Sequence, residues 1–473
     1  MAVWRDSAGP AADDLDPVAR YIEEHMSDLI AQLISWVSIP SVAGQPSRAL
    51  DVIRSAHWLA GEMRDIGITA SVVETGDTAA VLGECLSEAG APTVLVYSHH
   101  DVRHAKPEEW KETEPFIPVV RDGRVFGRGS SDAKGQVVAH LWGLRAHLAT
   151  VDGAVPAVNI KFLVEGEEEI GSPNLKSLLR NHRDELACDL IVFSDTVQWK
   201  DDAPAPVSSM RGIINAALTI SGPERDLHSG VASGVTTNPT QVLADVISAL
   251  HDGSGRIALP GFYDDVDALT EERRREFDRL SFDEDVWTQR METRAIIGEE
   301  GYTPKERLWA RPSLEVLSLL AGDPLGMSRA VIPATAQATL SIRTVPGQHI
   351  STVAAQLREF VAAHVPAEAH YTLDVDEATA QDAYTTPDGP MLVALERALE
   401  RGYGTPVNGR MGNAGGGPAE LLSAQLAAPV LFLGTGLPED HWHASDESVE
   451  TDMLRRGAAT IAHLWRELGA RSG

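Results

Sequence analysis

Apolar and polar residues alternate with two different periods in the first part of the chain. Residues 16–37 and 49–66 repeat apolar side chains at helical spacing, which predicts two amphipathic helices. A further helical pattern covers 137–148, and shorter apolar runs rich in β-branched residues occur at 71–73, 79–82, 93–97, 159–164 and 190–193. Such runs predict strands that are buried on both faces, so we expect an α/β domain in which helices cover a mixed sheet.

The pattern changes near residue 210 and predicts a second kind of domain. A helix is expected to open at Asn238, and a second helix at 353–365. Strands are predicted at 213–220, 314–320, 335–345 and 371–375. This β-α-β-β-α-β order is typical of a ferredoxin-like α+β domain. A charged segment, residues 264–311, interrupts the order, and we predict a mostly helical insertion there.

The α/β pattern returns after residue 387. It consists of a helix at 391–401, a glycine-rich loop, a strand at 430–434 and a terminal helix at 449–468. A length of 473 residues also suits more than one domain. We therefore predict that residues 1–209 and 386–473 form one domain and that residues 210–385 form a second domain inserted into it.

Composition limits the partners of the protein and the compartment in which it acts. The 69 acidic residues exceed the 40 basic ones, and the net charge of −29 argues against nucleic acid or an anionic membrane as a partner. The two cysteines, Cys85 and Cys188, do not form a disulfide framework pattern, which favours a reducing compartment. The chain shows neither a leader pattern nor a long apolar span, so we expect a cytoplasmic protein.

Residues able to bind metal ions follow several of the predicted strands. In open α/β sheets ligands bind outside the carboxyl ends of the strands, so these side chains can converge. Each of them alone also fits an ordinary structural role, and it is their joint placement that predicts a site. A metal-bound imidazole usually donates its second ring N–H to a carboxylate, which Asp101 could supply to His99. The residues are His99, His100 and Asp101 after 93–97, Glu165, Glu167, Glu168 and Glu169 after 159–164, Asp195 after 190–193, and His441 and His443 after 430–434.

Asp132 lies in a run of small residues just before the helical pattern at 137–148. Gly127, Gly129 and Gly135 permit close backbone approaches, so this loop can bring the carboxylate against a buried group. Asp132 also fits a helix N-cap, where aspartate is frequent. The ligand-capable residues elsewhere in the chain favour the first of these interpretations.

Four segments together resemble a known family in their order and spacing. They are residues 98–102, 127–135, 165–172 and 226–230. They resemble the carnosinase-type dipeptidases of the aminoacylase and dipeptidase superfamily, whose members use co-catalytic metals. The resemblance runs from about Trp36 to the C-terminus. It implies a metallopeptidase domain with a covered mixed sheet and an inserted ferredoxin-like domain that serves as a lid and a dimerisation domain.

The resemblance implies a set of metal ligands. His99 and Asp195 would bind one divalent ion, Glu169 and His443 would bind the other, and Asp132 would bridge both. In this family the peptide bond after the bridging aspartate is cis. The mixed nitrogen and oxygen ligands suit zinc, with manganese or cobalt as alternatives.

The resemblance also implies the catalytic roles. Two ions would hold a bridging water and lower its pKa to roughly 7. Glu168 would take the proton of this water and return it to the leaving amine, and Asp101 would support His99. His228 would help to stabilise the oxyanion, and Arg343 would bind the substrate carboxylate.

The late glycine loop departs from the family pattern. Gly416 and Gly417 would lie against the substrate, but Gly417 and Pro418 replace a sequence in which relatives carry a substrate-contacting serine. His100 stands where tyrosine or leucine is common, and Ala133 stands where a second aspartate is frequent. These departures bear on which substrate is preferred.

The expected function is hydrolysis of dipeptides or similarly small peptides that carry a free carboxylate. An alternative with the same metal core is removal of the acyl group from N-acyl amino acids. A non-catalytic binding protein is a third possibility, against which the presence of Asp132 and Glu168 argues. By the same resemblance we expect a homodimer formed through the inserted domain, with His228 delivered to the site of the neighbouring subunit.

Overall fold

The computed structural model describes residues 16–87, 90–322 and 329–470, and the chain forms two compact units. Unit 1 consists of residues 1–208, 386–411 and 422–473. Unit 2 consists of residues 209–385 and 412–421. Unit 2 thus includes residues 412–421, which the sequence analysis grouped with the last segment of the first domain.

Helices and strands are interspersed along the whole described part of the chain. The helices are α1 (Pro17–Glu24), α2 (Met26–Val37), α3 (Ala49–Asp65), α4 (Lys134–Ala149), α5 (Leu175–Asn181), α6 (Arg183–Leu186), α7 (Ser229–Ala232), α8 (Pro239–Ser248), α9 (Glu271–Arg279), α10 (Glu284–Arg290), α11 (Pro304–Ala310), α12 (Ile350–His364), α13 (Pro390–Tyr403), α14 (Ala419–Leu426) and α15 (Thr451–Gly469). The strands are β1 (Thr69–Thr75), β2 (Thr78–Cys85), β3 (Thr93–His99), β4 (Val119–Arg121), β5 (Arg124–Phe126), β6 (Asn159–Glu165), β7 (Leu190–Phe193), β8 (Val207–Met210), β9 (Gly212–Ser221), β10 (Leu227–His228), β11 (Ser313–Ala321), β12 (Val331–Ile332), β13 (Thr335–Thr344), β14 (His370–Gln381), β15 (Tyr384–Thr385), β16 (Met411–Asn413), β17 (Val430–Phe432) and β18 (Ser448–Glu450).

The main sheet of unit 1 contains the strands that the apolar runs predict. Its strands lie in the order β1-β2-β6-β3-β7-β17. β1 and β2 form an antiparallel hairpin and β2 pairs antiparallel with β6, whereas β3, β6, β7 and β17 run parallel. β3 is almost entirely buried, as expected for a strand covered on both faces. The four parallel strands therefore present their carboxyl ends at one edge of the sheet.

Helices pack on this sheet around a large apolar core. Its most buried large side chains include Trp36 of α2 and Trp465 of α15. The Trp36 indole N–H donates to Ser55 Oγ at 2.8 Å, so the ring is buried without loss of its hydrogen bond. Gly143 lets α4 approach α15, because a Cβ at this position would lie 2.6 Å from Ile461 Cγ2.

The sheet of unit 2 has the ferredoxin-like arrangement that the sequence predicts. Its four strands lie in the order β11-β13-β9-β14, and every neighbouring pair is antiparallel. Residues of α8 and α12, among them Leu243 and Leu357, form the core with this sheet. The predicted fold class, an α/β domain with a covered mixed sheet and a ferredoxin-like α+β domain, is confirmed.

Several boundaries differ from the prediction for local reasons. The single helix predicted at 16–37 is broken at His25, whose ring Nδ1 donates to the Tyr21 carbonyl at 2.7 Å while its amide bonds to Ile22. The terminal helix begins at Thr451 because residues 448–450 pair with β5. The predicted insertion at 264–311 contains α9, α10 and α11 separated by irregular segments, and is therefore less helical than expected.

Several short elements have no counterpart among the predicted ones. They include α14, the short sheet β18-β5-β4, and the ribbon formed by β10 and β12. These strands are two or three residues long, too short for a periodicity to appear. In the described part of the chain, no helix combines the length and the apolar character that crossing a membrane requires.

His140 of α4 is fully buried beside α15, 6.2 Å from the Trp465 ring between centroids. Neither of its ring nitrogens has a hydrogen-bond partner among the described residues. Burial without partners lowers the pKa of His140 to about 3. The folded protein therefore keeps this imidazole neutral at acidities where the unfolded chain protonates it.

We predict that His140→Leu reduces the acid sensitivity of the fold. Between about pH 6.5 and pH 3 the unfolded chain binds a proton at His140 that the folded chain does not, so stability falls as the pH decreases. The variant lacks this penalty. When the pH falls from 7.5 to 5, its free energy of unfolding should therefore rise by about 2 kcal/mol relative to that of the wild type. Urea unfolding at both values measures the change. The control His57→Leu, at an exposed position of α3, should show no such gain, and an equal gain there would contradict the assignment.

Candidate metal centre

The predicted ligands of unit 1 meet at the carboxyl edge of its parallel strands. His99 is the last residue of β3, and Glu168 and Glu169 lie in a short 3-10 helix after β6. Asp195 follows β7, and His443 lies beyond β17. Because these strands are neighbours in the sheet, residues far apart in sequence approach each other.

Asp132 lies between two histidines. Its Oδ1 is 3.1 Å from His99 Nε2, and its Oδ2 is 3.0 Å from His443 Nε2. Asp195 Oδ1 lies 3.7 Å from His99 Nε2, and Glu169 Oε2 lies 3.2 Å from His443 Nε2. The two oxygens of one carboxylate thus face two separate groups of ligand atoms, which is the geometry that a bridging ligand requires.

Each of these groups could hold one metal ion. In one group, ligand atoms of His99, Asp132 and Asp195 all lie within 4.8 Å of one another, and in the other the same is true of Asp132, Glu169 and His443. Asp195 Oδ1 is buried and has no hydrogen-bond partner among the described residues. A buried carboxylate oxygen without a donor is costly, and a cation would satisfy it. The donor set of imidazole and carboxylate therefore fits divalent ions such as zinc.

The electrostatics of the centre favour positive charge. Burial alone would lower the pKa of His443, but hydrogen bonds to Asp132 and Glu169 outweigh it and raise this pKa to about 10. In the same way, carboxylates around His99 raise its pKa despite complete burial. Burial opposes ionisation of Asp132, yet the two histidines hold its pKa well below its usual value. The carboxylates of this cluster therefore favour the binding of cations.

Asp101 joins the end of β3 to the turn that carries the glutamates. Its carboxylate accepts the backbone N–H groups of Glu168 and Glu169 at 3.2 and 3.0 Å. His99 Nδ1 donates to the backbone carbonyl of Asp101 at 3.0 Å, whereas the nearer carboxylate oxygen is 3.4 Å away. His99 therefore bonds mainly to the backbone carbonyl of Asp101 and not, as expected, to its carboxylate. The Asp101 carboxylate instead positions Glu168 and Glu169 through their backbone N–H groups.

Glu168 differs from its neighbour Glu169, whose carboxylate contacts Arg103 and His443, in the contacts of its side chain. Its side chain is half-buried, and no hydrogen bond to it is found in the described ranges. Burial, followed by the charge of Asp195, raises the pKa of Glu168 well above its ordinary value. A carboxylate in this situation is suited to proton transfer.

Asp132 does not cap α4. The residue at the N-cap position is Ala133, and no side chain caps this helix by a hydrogen bond. The peptide bond between Asp132 and Ala133 is cis. The helix-cap interpretation that the sequence left open for Asp132 is therefore wrong.

Sequence reasoning missed Glu447, which holds the loop that carries Asp132. Glu447 is fully buried, and its Oε1 accepts the backbone N–H groups of Gly129, Ser131 and Asp132 at 3.0 to 3.1 Å. Its Oε2 accepts from Arg128 Nη1 at 2.6 Å. The contacts span more than 300 positions along the chain, so no local pattern could have indicated them.

A second buried acid supports the loop that carries His443. Asp440 Oδ2 accepts from Ser131 Oγ at 2.6 Å, and Ser131 Oγ in turn accepts from the Trp442 indole at 2.8 Å. His443 has a left-handed backbone, with φ of 62°. That conformation is uncommon outside glycine and asparagine and persists where surrounding contacts fix it.

The remaining predicted site residues lie in unit 2. Arg343 is in β13, and a Cβ at Gly416 would lie 3.1 Å from Arg343 Nη1, so glycine lets the loop approach the guanidinium. Gly417 is buried beside it and accepts from the Ala419 N–H at 2.9 Å. His228 ends β10 and is exposed.

The chain is similar to known proteins over almost its whole length. Residues 95–467 match the model of peptidase family M20/M25/M40. A Cys-Gly metallodipeptidase of Candida albicans is 30% identical over 94% of this chain and 96% of its own. The Beta-Ala-His dipeptidase of Rattus norvegicus is 25% identical over 97% of this chain and 96% of its own. The crystal structure of human carnosine dipeptidase 1 matches with a TM-score of 0.83 and 25% identity, covering 96% of this chain and 98% of that one.

Proposed function

Because the chain belongs to peptidase family M20/M25/M40, we propose that it is a metal-dependent dipeptidase. The resemblance to carnosinase-type dipeptidases is confirmed by the family match and by relatives that bear dipeptidase names. These relatives also favour dipeptide hydrolysis over removal of acyl groups. The observation that carries the proposal is the Asp132 carboxylate, whose two oxygens face two groups of ligand atoms.

The proposed ligands are His99 and Asp195 for one ion, Glu169 and His443 for the other, and Asp132 for both. When bound, two divalent ions would polarise the scissile carbonyl and lower the pKa of a water molecule. The mixed nitrogen and oxygen donors support zinc as the proposed metal, and manganese or cobalt would accept the same donors.

Glu168 is the proposed general base. Asp101 fixes its backbone, while its carboxylate has no hydrogen bond in the described ranges that would restrain it. Its raised pKa makes it a stronger base than an exposed glutamate. It takes a proton from the attacking water and gives it to the amine that leaves when the peptide bond breaks.

Arg343 is the proposed partner of the substrate carboxylate. Burial lowers the pKa of its guanidinium, and no hydrogen bond or ion pair satisfies it among the described residues. The neighbouring Arg211, by contrast, donates from Nε and Nη2 to the Ala414 carbonyl. A guanidinium of this kind can bind a carboxylate with two parallel hydrogen bonds.

We further propose that the protein acts as a homodimer. β11 is an edge strand of the unit 2 sheet and exposes Val316, Leu317, Leu319 and Leu320. An apolar edge strand offers unpaired backbone groups to another strand, and a second copy related by a two-fold axis would pair with it antiparallel. His228 lies in unit 2 and the proposed metal ligands lie in unit 1, so a neighbouring subunit is the proposed recipient of His228.

Two free cysteines support the proposed cytoplasmic location. Cys85 and Cys188 are not joined in a disulfide, and burial raises the pKa of both thiols. The free state of both cysteines, and not their reactivity, is what suits a reducing compartment.

The division of labour between adjacent glutamates gives the first test. Glu168→Gln should leave two metal ions per chain, while kcat falls by roughly 10²–10⁴-fold, because a proton acceptor is lost. Glu169→Gln should instead lower the metal content, because it weakens a ligand. Metal analysis and dipeptide hydrolysis of both purified variants measure this. Equal metal occupancy in the two variants would contradict the assignment.

The role of Arg343 can be tested with matched substrates. Arg343→Met should reduce kcat/KM for dipeptides at least tenfold more than for their C-terminal amides, because a charged hydrogen bond is worth roughly 1.5–3 kcal/mol. Arg358→Met serves as the control, since Arg358 also lies in unit 2, is half-exposed and pairs with Glu377. Equal losses on acids and amides would mean that Arg343 has a structural role only.

Delivery of His228 between subunits can be tested by complementation. Glu168→Gln and His228→Ala chains, co-expressed with different tags, should form mixed dimers that are active although both parents are nearly inactive. In such a dimer one site combines an intact Glu168 with the intact His228 of the other chain. Metal content is measured in parallel. A purified mixed dimer no more active than its parents would rule out delivery in trans.

A further inference from the structure

Arg103 lies against one of the proposed metal ligands. Its Nε is 2.8 Å from Glu169 Oε2, and its side chain is 49% exposed while that of Glu169 is 2% exposed. The backbone N–H of Arg103 donates to the other oxygen, Oε1, at 3.0 Å. One residue thus contacts both oxygens of the carboxylate, by two different groups.

The two contacts have different consequences for Glu169. The backbone contact at Oε1 meets the geometry of a hydrogen bond and does not depend on the side chain. Asp101 additionally accepts the N–H of Glu169, which fixes the turn from the other side. The orientation of the Glu169 carboxylate is therefore set without the guanidinium.

Glu169 Oε2 is the oxygen that a metal ion would use. It lies 3.2 Å from His443 Nε2 and belongs to the ligand group of Asp132, Glu169 and His443. It is buried and has no hydrogen-bond partner among the described residues, so its contact with Arg103 Nε at 2.8 Å is an ion pair only. A positive charge at this distance competes with a divalent ion for the same oxygen and repels it.

The other ligand group carries no such competitor. In the described part of the chain, the ion pairs of Asp195 involve His99 alone. The His99 side chain is fully buried, whereas that of His443 is 51% exposed. The two groups share Asp132 but differ in the charge placed against their second carboxylate.

We propose that Arg103 weakens metal binding at the group formed by Asp132, Glu169 and His443, so that the two ions bind in order. The group of His99, Asp132 and Asp195 fills first, and the second ion binds only after it displaces the guanidinium from Glu169 Oε2. This inference rests on the proposed two-metal site and deepens it. The occupancy of the group formed by Asp132, Glu169 and His443 then depends on the concentration of free metal ion.

The test is a titration of the metal-free protein with Mn²⁺ alone. Calorimetry gives the two dissociation constants, and the free ion is counted by electron paramagnetic resonance. The wild type should show one tight and one weaker site. Arg103→Gln and Arg103→Met should tighten the weaker site about tenfold and leave the tight site unchanged, because a competing charge is lost.

Lys106→Gln is the matched control. Lys106 lies three residues further along, is exposed, and pairs with Glu109, so its loss removes one positive charge without freeing Glu169. It should leave both constants within twofold of the wild type. An equal tightening there would show a general effect of charge and would overturn the inference.

The outcomes separate this inference from the proposed function. Weaker binding in both Arg103 variants would mean that the guanidinium positions Glu169, and no change would mean that it does not compete, so either result overturns the inference while two sites remain. Binding of fewer than two ions by the wild type and also by both Arg103 variants would instead contradict the proposed two-metal site. Thermal unfolding of the metal-free variants shows that the comparison is made between equally folded proteins.

Discussion

One buried carboxylate, Asp132, determines how the metal-centre region of unit 1 is built. It faces an imidazole on each side, in a cluster where further carboxylates are also buried. Negative charges at such density are tolerated only with cations between them and with rigid support behind them. The parallel strands bring the proposed ligands to one edge of the sheet, and the loop before α4 places Asp132 among them.

Support for this loop comes from the far end of the chain. Glu447 accepts hydrogen bonds from three backbone N–H groups of residues 129–132. The buried Glu447 carboxylate therefore holds that of Asp132 in place through the backbone of the loop. Arg128 compensates part of its charge at the same point. An arrangement in which backbone N–H groups converge on an anion is favourable in a low dielectric and is hard to deform. The precision of the centre therefore depends on residues that are not ligands.

Much of the fold was predictable because its signals are local. The apolar runs at 93–97, 159–164 and 190–193 became β3, β6 and β7, and the order of elements in 213–375 gave the ferredoxin-like arrangement. The proposed ligands were also visible, since strand ends in an α/β sheet are where ligands gather. Glu447, Asp440 and Arg103 were not, because a hydrogen bond or an ion pair between distant segments leaves no periodicity in either of them. The break at His25 was not predicted for a related reason, since it depends on a single hydrogen bond from the His25 side chain to the Tyr21 carbonyl.

The apolar edge of β11 has a consequence for how copies of the chain meet one another. A strand that exposes leucines at a sheet edge does not distinguish a two-fold partner from any other extended segment. Pairing between two copies closes the edge on itself, whereas pairing with anything else leaves an end that can continue to grow. The net charge of −29 opposes such growth, because copies with the same net charge repel one another. The acidic composition thus protects against aggregation a chain that exposes an apolar sheet edge.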